Sequence, residues 1–315
     1  MSNATEPPKQ SSSSRNVGFG TETVVELSRV RSDNEPPLII LHGGGGALQA
    51  FEPLKKAFKS GLWGIQITPS TPLHSIAAQA HHYFVKIKEK QQRGPYRLSA
   101  FSASSIILVA LARIFEDHGD EVIQLAFVDH FPTIFLCPEI GVVWRDGKLE
   151  EDVQVARQRF VANSFRSVCE ITRRDMGGQD ARRHELADDL IRALDGIEPS
   201  SDFAVLFFET MGCYLGAVFD LVIGMSEKRD SGSLMEGLAM WIRTLKAPIT
   251  VYICSHGVIG EVPQRCRKEW GDLGVHRCRD DSRVVYLDAG HYDVLWNSLL
   301  IRDLQEGFAP VEALL

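Results

Sequence analysis

Short apolar runs alternate with longer helical runs between residues 63 and 129, and this alternation constrains the fold more than any other feature of the chain. The pattern predicts strands at 63–68, 96–101 and 122–129, with helices at 75–90 and 103–116 between them. Strands that alternate with helices in this way build a mostly parallel sheet with helices on both faces. Ligands bind such sheets at the carboxyl ends of the strands. We therefore expect an α/β fold whose functional residues lie where strands end.

Ser102 lies where a predicted strand meets the next helix, and the apolar run 105–110 begins directly after this turn. A serine on a tight strand-to-helix turn is typical of a catalytic nucleophile, and small residues two positions before and after it let the backbones pass. Ala100 and Ser104 occupy those positions, where glycine is usual. We predict that Ser102 is a nucleophile. The alternative is an ordinary serine in a strand–helix connection.

Two later strand ends carry the residue types that would activate such a serine. Asp129 ends the strand predicted at 122–129, and His291 follows a strand predicted at 283–288. The order Ser, Asp, His along the chain is that of the α/β-hydrolases. A histidine can take the proton of the serine, and a carboxylate can orient that histidine.

Other carboxylates compete with Asp129 as the partner of His291. Asp288 and Asp293 lie closer to His291 in the sequence, although Asp293 could cap the last helix. The loop after the strand predicted at 248–254 offers no carboxylate before Glu261. We favour Asp129, and the other two aspartates stay open as alternatives.

Four glycines, at positions 43–46, follow an apolar strand pattern and His42. Glycines allow backbone N–H groups to approach a substrate oxygen closely. A phosphate-binding loop is the alternative, but no Lys-Ser or Lys-Thr pair follows the run, as that motif requires. We expect His42 to hold the glycine loop through a side-chain hydrogen bond.

Residues 37–135 resemble the thioesterase domain of animal-type fatty acid synthases and of its polyketide and nonribosomal-peptide relatives. The matching segments are Leu41-His42 with the glycines, Gly64-Ile65-Gln66, the stretch 72–76, Gly94-Pro95-Tyr96-Arg97, the serine turn and Phe127-Val128-Asp129. The resemblance fades from 136 to 246 and returns at Gly290-His291. It implies an α/β-hydrolase fold with an inserted helical lid. It also implies a triad of Ser102, Asp129 and His291.

The same resemblance implies that an oxyanion is held by the backbone N–H groups of Gly44 and Ala103, with Gly43 and Gly45 as neighbouring candidates. The implied substrates are fatty acyl or polyketide chains on the phosphopantetheine of an acyl carrier protein. The implied reaction is hydrolysis through an acyl-serine, with no metal or organic cofactor. A carboxylesterase, an acyltransferase or a cyclase of the same fold is the first alternative. A non-catalytic acyl-binding or interaction domain is the alternative of another class.

The chain divides, by its composition, into a disordered lead at 1–20 and one domain at 21–315 that contains a lid insertion at 136–246. The lid is predicted to hold about four helices and no strands. Its most apolar segment, 203–225, is predicted to line a channel for a long acyl chain, with Leu215 and Phe219 in the channel wall. Two acids within this segment, Glu209 and Asp220, argue against a membrane span.

Net charge and cysteine spacing argue against two other classes of function, namely nucleic-acid binding and metal binding by cysteines. A net charge of −7 argues against a dedicated nucleic-acid binder, because such binding needs clustered Lys and Arg. The six cysteines show no paired metal-binding spacing and are expected to be reduced, mostly buried thiols; they are Cys137, Cys169, Cys213, Cys254, Cys266 and Cys278. We therefore expect a cytoplasmic protein without a metal site.

Overall fold

The computed structural model describes residues 19–29, 35–137, 144–145, 148–149, 152–175, 181–227 and 234–306. Almost all of the lead predicted at 1–20 lies outside the described residues. The strands are β1 Val24–Ser28, β2 Leu38–Leu41, β3 Leu62–Ile65, β4 Tyr96–Phe101, β5 Val122–Val128, β6 Trp144–Arg145, β7 Lys148–Leu149, β8 Ile249–His256 and β9 Arg283–Gly290. Seven of them form one sheet in the order β1-β3-β2-β4-β5-β8-β9.

Parallel pairing runs through this sheet from β3 to β9, and β1 is its antiparallel edge strand. The central strands are buried on both faces, as every residue of β2 and β4 shows. Burial on both faces is expected where helices cover both sides of a parallel sheet. The prediction of a mostly parallel α/β sheet is confirmed.

Helices pack on each face and produce two hydrophobic cores. The helices are α1 Glu52–Ala57, α2 Ile76–Lys90, α3 Ser105–Asp117, α4 Val153–Asp175, α5 Ala181–Leu194, α6 Asp202–Glu227, α7 Leu234–Arg243, α8 Arg267–Trp270, α9 Val275–Cys278 and α10 Ser298–Glu306. One core contains Tyr83 of α2 and Leu111 of α3 together with lid residues. The other contains Leu54 of α1 and Leu300 of α10. The α2–α3 side is the larger because the lid adds to it.

The lid lies between β5 and β8. Its helices α4 to α7 match the four that were predicted, but the expectation of no strands is wrong, because β6 and β7 pair as a short antiparallel ribbon. Helix α6 is long and apolar enough to cross a membrane by length and composition, yet half of its apolar window is buried inside the fold. Glu209 and Asp220, the two acids that argued against a membrane span, are both exposed on this helix.

Candidate active site

Ser102 stands on a strained turn between β4 and α3. Its φ angle is 58°, a left-handed conformation that residues other than glycine seldom adopt. A single 3-10 turn, Ser102–Ser104, then leads into α3. Ala100 and Ser104 are almost completely buried on either side of the turn, so their small side chains fit where larger ones would clash. Strain of this kind, fixed by its surroundings, is common at functional sites.

Three side chains from separate strand ends meet at this turn. His291 Nε2 lies 3.0 Å from Ser102 Oγ, and His291 Nδ1 donates to Asp129 Oδ2 at 2.6 Å. Asp129 is fully buried, and the ring of Phe101 stacks on the imidazole with the centroids 4.7 Å apart. A serine next to an imidazole that a buried carboxylate orients has the geometry of a Ser-His-Asp triad.

Asp129 is held by the loop that follows β8. Its carboxylate accepts hydrogen bonds from the backbone N–H groups of Cys254, at 2.9 Å, and Val258, at 3.0 Å. Gly257 lies against this carboxylate so closely that a Cβ there would come within 1.9 Å of Asp129 Oδ2. The end of β8 therefore provides one donor for Asp129, and the loop after it, which offers no carboxylate before Glu261, provides the other. The sequence signal was Gly257 itself, which the sequence analysis did not connect with the acid.

The lid contacts the same loop through Arg174 of α4. Arg174 Nη2 donates to the carbonyl oxygen of Gly257 at 3.0 Å, and Arg174 Nη1 pairs with Glu261 at 2.6 Å. The carbonyl of Gly257 and the N–H of Val258 belong to one peptide group. That group therefore accepts a hydrogen bond from the lid on one side and donates one to Asp129 on the other.

The competing aspartates lie away from the histidine ring. The side chain of Asp288 is 93% exposed and contacts Ser255 at 3.1 Å and His256 at 3.3 Å. Asp293 is exposed in a short 3-10 helix. Of the three carboxylates that the sequence left open, Asp129 is the one that contacts His291.

His42 fixes the glycine loop. Its Nδ1 donates to the carbonyl of Gly43 at 2.5 Å, and the Tyr83 hydroxyl lies 2.7 Å from its Nε2. Burial lowers the pKa of His42 to about 4, so the ring is neutral at pH 7. Gly46 closes the loop with a φ of 90° and an N–H bond to the carbonyl of Gly43 at 3.0 Å. The expected structural role of His42 is confirmed.

Gly44, the expected oxyanion donor on this loop, lies against Ala103, the other expected donor. A Cβ at Gly44 would come 3.3 Å from the Cβ of Ala103, and both residues line the same cavity as Ser102. The loop thus sits beside the nucleophile, where backbone N–H groups could meet the oxygen of a bound acyl group. The specific role of each N–H group stays a prediction.

Helix α6 contacts both the glycine loop and the serine turn. Phe207 packs so closely on Gly45 that a Cβ there would come within 1.9 Å of its ring. Thr210 Oγ1 lies 3.1 Å from the carbonyl oxygen of Gly45 and 2.8 Å from that of Leu206 in its own helix, and these two carbonyls share its one proton. The Tyr214 hydroxyl donates to the carbonyl of Ala103. These contacts were not predicted from the sequence. Their signal was a pair of hydroxyl side chains, Thr210 and Tyr214, four residues apart in a mostly apolar helix.

His130 is another residue of the site that was not predicted from the sequence. It follows Asp129 directly, lines the cavity and contacts Ser105 Oγ through Nδ1 at 2.8 Å. Burial, together with repulsion from a protonated His291, lowers the pKa of His130 to about 3. The cavity wall therefore contains a neutral imidazole beside the triad at pH 7.

The cavity itself has a volume of about 780 Å³ and extends from the triad into the lid. Its wall includes an apolar stripe of α6 with a spacing of four residues, namely Phe203, Phe207, Met211 and Leu215. Phe219 continues the spacing but does not line this cavity. It is fully buried and packs against Phe160, with the ring centroids 5.8 Å apart. Of the two channel residues expected from the sequence, Leu215 is in the wall and Phe219 is in the lid core.

No group of three His, Cys, Asp or Glu side chains is arranged to hold a metal ion within the described part of the chain. A nucleophile, a base and an orienting acid are present together, so the chemistry that this site can support is acyl transfer through a covalent serine intermediate.

Comparison with known proteins places this geometry in a family. Residues 36–177 match the family model of the thioesterase domain. This part of the chain, which contains Ser102 and Asp129, is therefore identified with the thioesterase domain. It is 36% identical over 279 residues to the highly reducing polyketide synthase stpks1 of Strobilurus tenacellus, a match that covers 85% of this chain. The chain spans only 10% of that synthase.

Solved structures of other proteins share the fold of this chain. A holo four-domain nonribosomal peptide synthetase matches 92% of this chain with a TM-score of 0.57 and 16% identity, and the match covers 20% of that protein. YbtT, a type II thioesterase from the yersiniabactin biosynthetic pathway, matches 91% of this chain with a TM-score of 0.52 and 15% identity, and it is covered completely. At such identities the likeness concerns the fold.

Proposed function

We propose that this thioesterase hydrolyses fatty acyl or polyketide chains from the phosphopantetheine thioester of an acyl carrier protein. The observation that carries the proposal is the continuous contact from Ser102 through His291 to Asp129 at the wall of a large, partly apolar cavity. The similarity to a polyketide synthase supports the substrate class. The proposed catalytic unit is a single domain, 21–315, with 136–246 as its lid.

In the first half of the reaction, Ser102 Oγ attacks the thioester carbonyl while His291 Nε2 takes its proton. The N–H groups of Gly44 and Ala103 hold the oxyanion, an effect worth about 3 kcal/mol for one donor. The carbon–sulfur bond then breaks, and His291 returns the proton to the departing thiolate. Asp129 keeps the imidazole in the tautomer that this transfer needs and stabilises its cation.

In the second half, His291 takes a proton from water, which attacks the acyl-serine carbonyl. The same N–H groups hold the second oxyanion. The ester bond to Ser102 breaks, its oxygen regains a proton from His291, and the free acid leaves. We place this reaction in the cytoplasm, since no disulfide joins the six cysteines, all of which lie in the described part of the chain, and four of them are buried.

The proposal is tested with a panel of acyl-N-acetylcysteamine thioesters and intact-mass analysis. We expect the protein to gain the mass of one acyl group and to release the free acid, and we expect Ser102→Ala to lower turnover by about four to six orders of magnitude. Asp129→Asn should lower turnover by up to about ten-thousandfold, because it favours the wrong tautomer of the histidine. Asp288→Asn is the matched control and should leave turnover unchanged.

Three results would contradict the proposal in different ways. An unchanged rate for Ser102→Ala would refute the nucleophile. A product in which an alcohol or the chain's own hydroxyl has received the acyl group would indicate an acyltransferase or cyclase. Failure of a fluorophosphonate probe to label Ser102 in the folded protein would indicate a non-catalytic acyl-binding domain.

A further inference from the structure

A buried carboxylate lies in the wall of the catalytic cavity, away from the triad. Asp189 of α5 is only 5% exposed and lines the cavity. Ser200 Oγ donates to its Oδ2 at 2.6 Å, and Arg192 Nη1 lies 3.6 Å from its Oδ1. Within the described residues, these two groups are its polar partners. An ionised carboxylate has about four acceptor positions, so Asp189 retains acceptor capacity towards the cavity.

Hydroxyl groups of α4 line the same cavity. Ser164 Oγ is buried and has no hydrogen-bond partner among the described residues. Thr172, which is 5% exposed, also lines the cavity. Arg173 of α4 donates to Asp188 of α5 at 2.5 Å. These two residues are the sequence neighbours of Thr172 and Asp189, so α4 and α5 meet close to both of them. This wall therefore offers polar atoms that a purely hydrocarbon ligand would leave unpaired.

We propose that the cavity binds an acyl chain that carries a hydroxyl group, and that Asp189 accepts the hydrogen bond from this hydroxyl. The proposal rests on the proposed function, because it names the substrate class of the same site. A bound saturated chain would displace water from Asp189 without replacing its hydrogen bonds, and buried polar groups left unpaired are costly. A hydroxyl at the right distance from the thioester replaces them.

A neutral hydroxyl fits this subsite better than an ammonium group. Arg192 already lies beside the carboxylate, and Arg183 of the same helix lines the cavity. A second cation here would meet positive charge, whereas a hydroxyl needs only an acceptor. Sites built to bind a substrate hydroxyl also reject the analogue that lacks it.

The experiment uses pairs of N-acetylcysteamine thioesters of equal chain length, one unsubstituted and one with a single hydroxyl placed at successive carbons. We expect wild-type kcat/KM to favour one hydroxylated position by roughly tenfold to a hundredfold. Asp189→Leu should remove this preference while the unsubstituted thioester is still hydrolysed. Glu185→Gln, an exposed carboxylate that lines the same cavity, is the matched control and should retain the preference. Ser200→Ala should retain it as well, because the ligand hydroxyl then becomes the main donor to Asp189.

A binding measurement separates this inference from the proposed function. Calorimetric binding of the same thioester pairs to Ser102→Ala needs no turnover, so it reports on the subsite even where hydrolysis fails. Tighter binding of a hydroxylated chain that disappears in the Ser102→Ala, Asp189→Leu double variant supports the subsite. Equal binding and equal kcat/KM of all pairs in the wild type would overturn it. An equal loss for both members of each pair in Asp189→Leu, with a lower melting temperature, would show that Asp189 only holds the lid together.

Discussion

Replacing Gly257 by Ala should disable the triad without touching any of its three side chains. The new Cβ would lie 1.9 Å from Asp129 Oδ2 and 2.5 Å from its Cγ. This separation must open by about 1.5 Å before it becomes an ordinary van der Waals contact. Oδ2 is the atom that accepts hydrogen bonds from His291 Nδ1, at 2.6 Å, and from the N–H of Val258, at 3.0 Å. A shift of that size breaks both bonds.

We expect kcat to fall by between about a hundredfold and ten-thousandfold. The upper value is that of a triad whose acid no longer holds the histidine in the correct tautomer. The unfolding free energy should fall by about 1–3 kcal/mol, because a buried carboxylate loses a donor. Thioester hydrolysis and the rate of fluorophosphonate labelling measure the loss of activity, and urea unfolding measures the loss of stability.

Gly224→Ala is the matched control for this change. Gly224 lies on α6 with open space where its Cβ would be placed. Alanine in the interior of a helix is favoured over glycine by up to about 1 kcal/mol, so this variant should keep full activity and unfold at a slightly higher urea concentration. If Gly257→Ala also retained wild-type kcat, the position of Asp129 would not depend on the loop after β8.

Two further predictions follow from the cavity and from the buried histidines. Leu215→Trp should shift the preferred acyl chain to shorter lengths, because each methylene that can no longer enter the cavity loses about 0.8 kcal/mol of binding free energy. Phe219→Leu should lower the melting temperature but leave the chain-length profile unchanged. Equal chain-length profiles for the two variants would contradict the assignment of Leu215 to the cavity wall. The unfolding free energy should fall as the pH falls from about 6.5 towards 4, because burial lowers the pKa of His42 to about 4 and that of His130 to about 3, so the unfolded chain takes up protons that the folded chain excludes. Each ring contributes a slope of at most about 1.4 kcal/mol per pH unit, urea titrations measure it, and a flat profile would show that the rings are not buried in the neutral form.

The sequence predicted the sheet and the positions of the triad because both follow from local patterns. Ser102, Asp129 and His291 each follow an apolar strand, and parallel strands bring their carboxyl ends to one edge of a sheet. The sequence could not show which carboxylate contacts the histidine, because that depends on distances in the folded chain. Asp288 is nearer in the sequence, yet its side chain points to solvent from β9.

The lid was harder to predict because its main helix is apolar on most of its surface. Leu215 and Phe219 are four residues apart and so lie near one another along α6, but one borders the cavity and the other the lid core. The period of 3.6 residues identifies an apolar face and says nothing about whether protein or ligand covers it. The short ribbon β6–β7 was missed for a related reason, since strands of two residues carry too little pattern to detect.

The contact of Arg174 with the carbonyl of Gly257 joins the lid to the acid of the triad through a single peptide group. The carbonyl oxygen of this group accepts a hydrogen bond from Arg174, and its N–H donates to Asp129 Oδ2. Hydrogen bonds that share a peptide group polarise one another, so a substitution at Arg174 should alter how firmly the carboxylate of Asp129 is held. The helix that shapes the acyl cavity and the residues that orient His291 therefore belong to one hydrogen-bonded unit, in which a change in α4 reaches the catalytic base without touching the substrate.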